Sequence, residues 1–139
     1  MTDQDNVQLI RKLYDAFGRG DIQTILDNVA LGAGWNNYGP ESVPYFGSRK
    51  GHAQIVEFFQ AIGATTTGGR VDAESFIASG GKVVALGRYS ATVRSNGLKI
   101  DTPIAHIFTI QDGKITAWEG FSDTAHVAAA HSAAAGAAG

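Results

Sequence analysis

From Arg70 to Ser122 the chain is a succession of β-patterned runs separated by paired turn residues, and this succession constrains the fold more than any other feature. The runs are Val71–Ala78, Val83–Arg94, Lys99–Ile110 and Lys114–Ser122, divided by "SGGK", "SNGL" and "QDGK". Gly-Gly, Asn-Gly and Asp-Gly tolerate positive φ at both central positions, so they favour tight two-residue hairpins. Four strands joined in this way form an antiparallel meander. One face of such a sheet has to be covered, and the preceding half of the chain is what can cover it.

That half reads as helices. In "DNVQLIRKLYDAFGRGD", Val7, Ile10, Leu13, Tyr14 and Phe17 recur at helical spacing, with Asp3 or Asp5 placed to cap the start. Gly18 and Gly20 end this helix, and Asp21 caps a shorter one striped by Ile22, Ile25, Leu26 and Val29. "LGAGWNNYGPESVPYFGSRKG" holds too much Gly and Pro for long regular structure, which leaves a short strand at Trp35–Tyr38 and a loop. "HAQIVEFFQAIG" predicts a third helix with Ile55, Phe58, Phe59 and Ile62 on one side, and "ATTTGG" a linker. One α+β domain is expected over residues 1–127, followed by an Ala/Gly-rich tail at 128–139.

At 139 residues the chain is long enough for one sizeable core. Its net charge of -2 and its lack of a basic cluster argue against a nucleic acid as partner. Without cysteine it has no disulfide, thiolate nucleophile or Cys-ligated metal. No apolar run approaches the ~20 residues of a membrane span. The opening "MTDQDNVQ" is acidic, unlike a secretory signal, so no membrane association and a cytoplasmic location are expected. No phosphate-binding loop occurs, and His126 and His131 lack a third ligand, so neither a cofactor nor a metal is expected.

If every turn is a two-residue loop, the pairing follows by counting. Phe108 then faces Ala117, His106 faces Glu119 and Ile104 faces Phe121, while Gly87 faces both His106 and Glu74, and Tyr89 faces Ile104. Opposed residues project to one side with Cβ atoms ~5 Å apart. One face becomes Phe76, Ala78, Val83, Ala85, Phe108, Ile110, Ile115 and Ala117, a packed core. Its continuation, Glu74, Gly87, His106 and Glu119, bordered by Tyr89, Ile104 and Phe121, reads as the floor of a cavity with space above Gly87. The opposite face, with Val84, Leu86, Ile107 and Trp118, is too apolar for solvent, so a homodimer through it is expected.

An imidazole facing a carboxylate is a general acid/base pair, which makes His106 and Glu119 the candidate catalytic residues. Glu74 is a secondary carboxylate candidate on the same row. Asp123, in "FSDTA", suits the cap of the terminal segment better than a place in the pocket. Tyr14, Trp35, Asn37, Phe58, Tyr89, Ile104 and Phe121 are the candidate lining, although aromatics at helical spacing are core by default. Asn37 can also hydrogen-bond a ligand carbonyl.

The order "LYDAFGRGDIQTIL", a Trp-containing strand, "RKGHAQIVEFF", then the meander with "IAHIFTIQDGKI" and "FSDTA", resembles the nuclear-transport-factor-2-like superfamily. Within it the chain resembles the ketosteroid-isomerase-related or SnoaL-like polyketide cyclase group. The resemblance implies a cone-shaped curved antiparallel sheet wrapped around three N-terminal helices, a cystatin-like α+β roll. It also implies a deep pocket for a hydrophobic small molecule and a dimer. Ketosteroid isomerases use an Asp base and an oxyanion hole of Tyr and protonated Asp. Here the base position falls near Asn37, which takes no proton, the Tyr position near Leu13, beside Tyr14, and the buried acid position at His106. Polyketide cyclases resemble this chain at His106, with their carboxylate on the following strand, where Glu119 is nearest. Epoxide hydrolases of the superfamily pair an Arg with two Asp; Arg88 can stand for the Arg, but Ser90 stands where Asp is wanted. The function implied is a cofactor-independent acid/base enzyme acting on a hydrophobic carbonyl or enol compound. The alternatives are a non-catalytic binding or accessory dimer and, more weakly, an epoxide hydrolase-like enzyme.

Overall fold

The structure, a computed structural model, describes residues 2–133. Helix α1 spans Asp3–Gly18 and begins with a reciprocal cap. Thr2 Oγ1 accepts from Asp5 N at 3.0 Å while Asp5 Oδ2 accepts from Thr2 N at 3.0 Å. The cap is thus Thr2, with Asp5 answering it, and two of the orphan amides of the first turn are satisfied. Helix α2, Ile22–Asp27, is capped by Asp21 as its sequence predicts. Strands β1, Val29–Asn37, and β2, Gly47–Lys50, precede helix α3, His52–Thr65. The meander follows as β3 Thr66–Ser79, β4 Lys82–Val93, β5 Lys99–Gln111 and β6 Lys114–Ser122, and helix α4, Thr124–Ser132, ends the described chain.

The six strands form one curved sheet in the order β2-β1-β6-β5-β4-β3. The sheet is not purely antiparallel, because β1 lies parallel to β6. Of the expected linker at 64–69, Ala64 and Thr65 end α3 and the rest begins β3, and the boundary expected at 127 cuts through α4. Residues 134–139 of the expected tail lie outside the described residues. Ile10, Ile55, Val83 and Ile115 are fully buried where the helices meet the sheet. Each such side chain contributes about 1.5–3 kcal/mol of transfer free energy.

Two of the three turns follow their sequence. Gly80 and Gly81 have φ of 57° and 82°, and Asp112 and Gly113 have 51° and 75°, the primed geometry that matches strand twist. Their flanking residues pair as counted, Ser79 with Lys82 and Gln111 with Lys114. The Asn-Gly turn differs. Val93 N donates to Leu98 O at 2.8 Å, so the loop holds four residues, 94–97. Asn96 is buried, and its amide donates to Ala130 O at 2.7 Å and Ala133 O at 3.0 Å, tethering α4. The β4–β5 register therefore moves by two residues: His106 lies opposite Ala85, and Gly87 opposite Ile104. A two-residue shift leaves every side chain on its expected face.

The β5–β6 hairpin changes more. Ile110 pairs with Ile115, but Thr109 pairs with Ala117, leaving Thr116 as one extra residue on β6. Beyond this bulge every β6 side chain is on the opposite face from the one counted. Trp118 lies opposite Phe108 and is buried, Glu119 lies opposite Ile107, and His106 lies opposite Gly120. His106 and Glu119 do not face one another, and Trp118 does not belong to the outer face.

A second shift, between Ala73 and Ser75, puts Ala73 opposite Gly87 and leaves Glu74 exposed. Gly87 does not open space above its neighbour. A Cβ there would stand 2.1 Å from the Asp72 carbonyl oxygen, so β3 itself fills the position.

Candidate functional site

The helices and the concave face of the sheet enclose a cavity of about 100 Å³. Leu13, Tyr14 and Phe17 reach it from α1, Ile25 from α2, and Phe58, Phe59 and Ile62 from α3. The sheet supplies Trp35 and Asn37, Val71, Tyr89, Ile104, His106 and Phe108, Trp118, Phe121 and Ser122. Tyr45 and Phe46 from the loop before β2, with Val127 of α4, complete the wall. None of these residues is Asp, Glu, Lys or Arg.

His106 is the polar centre. The alternation of β5 turns it inward with Ile104 and Phe108, and its neighbour across β6 is Gly120, which has no side chain to screen it. Tyr14, one turn before the end of the α1 stripe, places its hydroxyl oxygen 2.8 Å from His106 Nδ1. Trp118 stands edge-on to the imidazole at 5.1 Å between centroids, and Phe108 edge-on to Tyr14 at 5.9 Å.

Burial among these rings lowers the His106 pKa from its ordinary 6.5 to about 3 and raises that of Tyr14. Both groups are neutral near pH 7 as a result. By surface area His106 is only half-buried, which reflects the cavity that its ring faces. No charged side chain lines the space to offset the effect of burial. The acid/base pair expected from the sequence is therefore not formed, since no carboxylate lines the space around His106.

The pair has a property independent of tautomer. If Tyr14 donates to Nδ1, Nε2 carries a proton; if Nδ1–H donates to Tyr14, the phenol proton is unspent. In each case one donor is left over for a ligand oxygen. Neither residue has another side-chain hydrogen-bond partner among the described residues.

Glu119 projects from the outer side of β6 and accepts from the Tyr38 hydroxyl at 2.8 Å. That bond, first, and burial, second, raise the Tyr38 pKa. Glu74 is exposed and Asp123 caps α4 through His126 N at 3.2 Å; neither lines the cavity. Arg88 is paired with exposed Asp101 at 2.8 Å on the outer face, which removes the Arg that an epoxide hydrolase-like site would need.

Tyr14, Trp35, Asn37, Phe58, Tyr89, Ile104 and Phe121 are all in the cavity wall. Phe121 contributes least, being 43% exposed with its ring stacked on Tyr38 at 4.9 Å. The Asn37 amide donates to Tyr45 O at 3.3 Å. Its Oδ1 and the Trp118 ring leave no room for a side chain at 120, where a Cβ would lie 2.7 Å and 2.6 Å from them.

Sequence reasoning missed Tyr45, Phe46 and Trp118 as lining. The first two are adjacent aromatics inside a Gly/Pro-rich loop, an unusual place for them and the one available signal. Arg49 holds that loop, donating to Pro44 O at 2.8 Å with its guanidinium 5.6 Å from the Phe58 ring centre. Tyr45 Oη lies 2.6 Å from His131 Nε2, which fastens the loop to α4.

A curved sheet closed by helices over an apolar cavity with a partly buried Tyr–His pair defines a small α+β pocket domain. The sequence profile of the SnoaL-like domain matches residues 10–118, and the chain belongs to this family, within the nuclear-transport-factor-2-like superfamily. Solved structures agree over nearly the full length. An NTF2-like protein of unknown function from Burkholderia pseudomallei is 25% identical, with a TM-score of 0.85 over 96% of this chain and 100% of that one. TerC, co-crystallised with polyporic acid, is 27% identical, with a TM-score of 0.83 over 93% and 99%. A candidate SnoaL-like polyketide cyclase from Jannaschia sp. CCS1 is 20% identical, with a TM-score of 0.82 over 94% of each chain, a likeness of fold alone. No curated protein matches the sequence.

Proposed function

We propose that this protein binds a hydrophobic carbonyl or enol compound in the cavity, with the ligand oxygen hydrogen-bonded by the Tyr14–His106 pair. The observation that carries this reading is the 2.8 Å contact between Tyr14 Oη and His106 Nδ1 at the wall of an otherwise apolar cavity. A donor fixed in a low-dielectric site polarises a carbonyl, and it does so without reorganising when charge develops. The co-crystallisation of TerC with polyporic acid supports a small-molecule role for the fold.

Acid/base catalysis through Glu119 has no support in the geometry, since its carboxylate is on the other side of the sheet. The neutral imidazole of His106 is the one ordinary base in the cavity wall, and burial makes it a weak one. Binding is therefore the primary role, and catalysis by carbonyl polarisation the second. Titration with 1-tetralone, followed by thermal stability and by calorimetry, tests the reading. Binding that Tyr14→Phe weakens about tenfold supports it, and binding unaffected by Tyr14→Phe and His106→Ala overturns it.

A second copy packing on the outer sheet face remains part of the proposal. Leu86 is 37% exposed and Ile77 60% exposed there, beside half-buried Val84 and Ile107. Sedimentation of the wild type against Leu86→Lys/Ile107→Lys decides it.

A further inference from the structure

Asn96-Gly97 is the turn pair that does not make the tight turn it favours, and it has a second chemical property. The backbone nitrogen after an asparagine can attack the side-chain amide and close a five-membered imide. Glycine hinders that attack least, having no side chain. The chain has asparagine at 6, 28, 36, 37 and 96, and only Asn96 precedes a glycine. The others precede valine, asparagine or tyrosine.

Both reacting groups are held in the folded chain. Gly97 N, the nucleophile, donates to Val93 O at 2.9 Å. Asn96 Nδ2, the leaving group, donates to Ala130 O at 2.7 Å and to Ala133 O at 3.0 Å, and Asn96 Oδ1 accepts from Leu98 N at 2.9 Å. The amide cannot turn toward Gly97 N while α4 is docked on it.

The helix that holds the amide is itself lightly held. Among the described residues the buried side chains of α4 are Val127 and Ala130, so little apolar area fixes it. Its other fastenings are single hydrogen bonds. Asp101 N donates to His126 Nε2 at 3.2 Å, Asp123 N donates to Thr102 Oγ1 at 2.9 Å, and Tyr45 Oη lies 2.6 Å from His131 Nε2. A segment with few buried apolar contacts opens locally at less cost than global unfolding. Lifting α4 takes away both acceptors of the Asn96 amide.

We propose that Asn96 is a deamidation site gated by α4, and that its conversion releases this helix permanently. Gly97 N bonds to Asn96 Cγ, the Cγ–Nδ2 bond breaks, and ammonia leaves with the proton that Gly97 N gives up. Water then opens the imide to aspartate or isoaspartate, and no other reactant is needed. The product does not redock. A carboxylate only accepts, so it meets the Ala130 and Ala133 carbonyl oxygens as a third acceptor where the amide donated to both. α4 carries Val127 in the cavity wall and His131 against Tyr45, so its release unseals one side of the cavity. None of this depends on which ligand the cavity takes.

The test incubates the purified protein at mildly alkaline pH, folded and in urea, and follows Asn96 by peptide mass. Conversion in the folded chain is expected, about tenfold or more slower than in the unfolded chain, because two hydrogen bonds to α4 have to open first. Val127→Ala weakens the docking of α4 without touching the reacting groups and should accelerate conversion several-fold. Ile55→Val, which lowers global stability at α3, should not. Asn96→Asp should lower amide-exchange protection in α4 about tenfold while α1 and α3 keep theirs. If that variant does not fold, the converted wild type, separated by ion exchange, is read in the same way. The proposal is overturned if the folded protein converts as fast as the unfolded chain or does not convert over weeks. It is equally overturned if Ile55→Val accelerates conversion as much as Val127→Ala, or if the converted protein keeps wild-type protection in α4.

Discussion

The Tyr14 hydroxyl, on the first helix, and His106 Nδ1, on the fifth strand, are 2.8 Å apart across the cavity wall. Ninety-two residues separate them in sequence, so the bond joins the helical layer to the sheet as well as furnishing a donor. Tyr14→Phe removes the hydroxyl and leaves a buried imidazole nitrogen unpaired, at a cost of about 1–3 kcal/mol. A lowered thermal midpoint and weakened 1-tetralone binding are expected together. Loss of binding with unchanged stability would mean that His106 finds a new partner.

The depressed pKa of His106 carries a sign for stability against pH. The folded state holds the imidazole neutral down to about pH 3, while the unfolded chain protonates it near 6.5. Between those values the unfolded state binds more protons, so folding stability rises with pH there and is lost as pH falls from 6.5 toward 3. Above 6.5 this contribution is complete and flat. Its size is a few kcal/mol at most. Thermal midpoints from pH 7 to pH 4 should fall more steeply for the wild type than for His106→Gln. Parallel curves would show that His106 does not titrate in this way.

The outer pair of Tyr38 and Glu119 is separable from the cavity. Glu119→Gln is expected to leave 1-tetralone affinity unchanged and to bring the Tyr38 phenol back toward its ordinary pKa, because the hydrogen bond to Glu119 is the main cause of the rise. Ultraviolet titration of the phenol and calorimetry of the ligand read the two effects separately. A large drop in affinity would restore Glu119 to the site and count against the register described above.

Much of this architecture is legible in the sequence, and the failures have physical causes. Gly80-Gly81 and Asp112-Gly113 act through local φ preference, so the turns and the first pairs beside them follow from residue type. Asn96-Gly97 carries the same signal, but the Asn96 amide is engaged by α4 carbonyls, a contact made with residues more than 30 positions away. The α4 tether outweighs the local turn preference. The bulge at Thr116 has no local signal at all, as Thr and Ala are ordinary strand residues. It is nevertheless what turns Trp118 inward and Glu119 outward, because side-chain facing alternates with every residue. His106 sits on the strand that does not bulge, which is why its inward direction can be counted correctly while its partner cannot. Tyr14 belongs to a helical stripe whose pattern gives its face but not which strand residue it meets.

Two glycines with different neighbours give a final contrast. At Gly87 an added Cβ meets the Asp72 carbonyl oxygen at 2.1 Å, and backbone of a paired strand cannot swing aside. Gly87→Ala should therefore cost at least the 1–3 kcal/mol typical of overpacking, as a lowered denaturation midpoint. At Gly120 the added Cβ meets the Trp118 ring at 2.6 Å and Asn37 Oδ1 at 2.7 Å, both of them side chains in the cavity wall. Both belong to side chains that line the cavity, so accommodating the Cβ alters its wall. Gly120→Ala is expected to lose less stability than Gly87→Ala and more affinity for 1-tetralone. The reverse order, with binding kept in Gly120→Ala, would show that the Trp118 and Asn37 side chains do not shape the occupied part of the cavity.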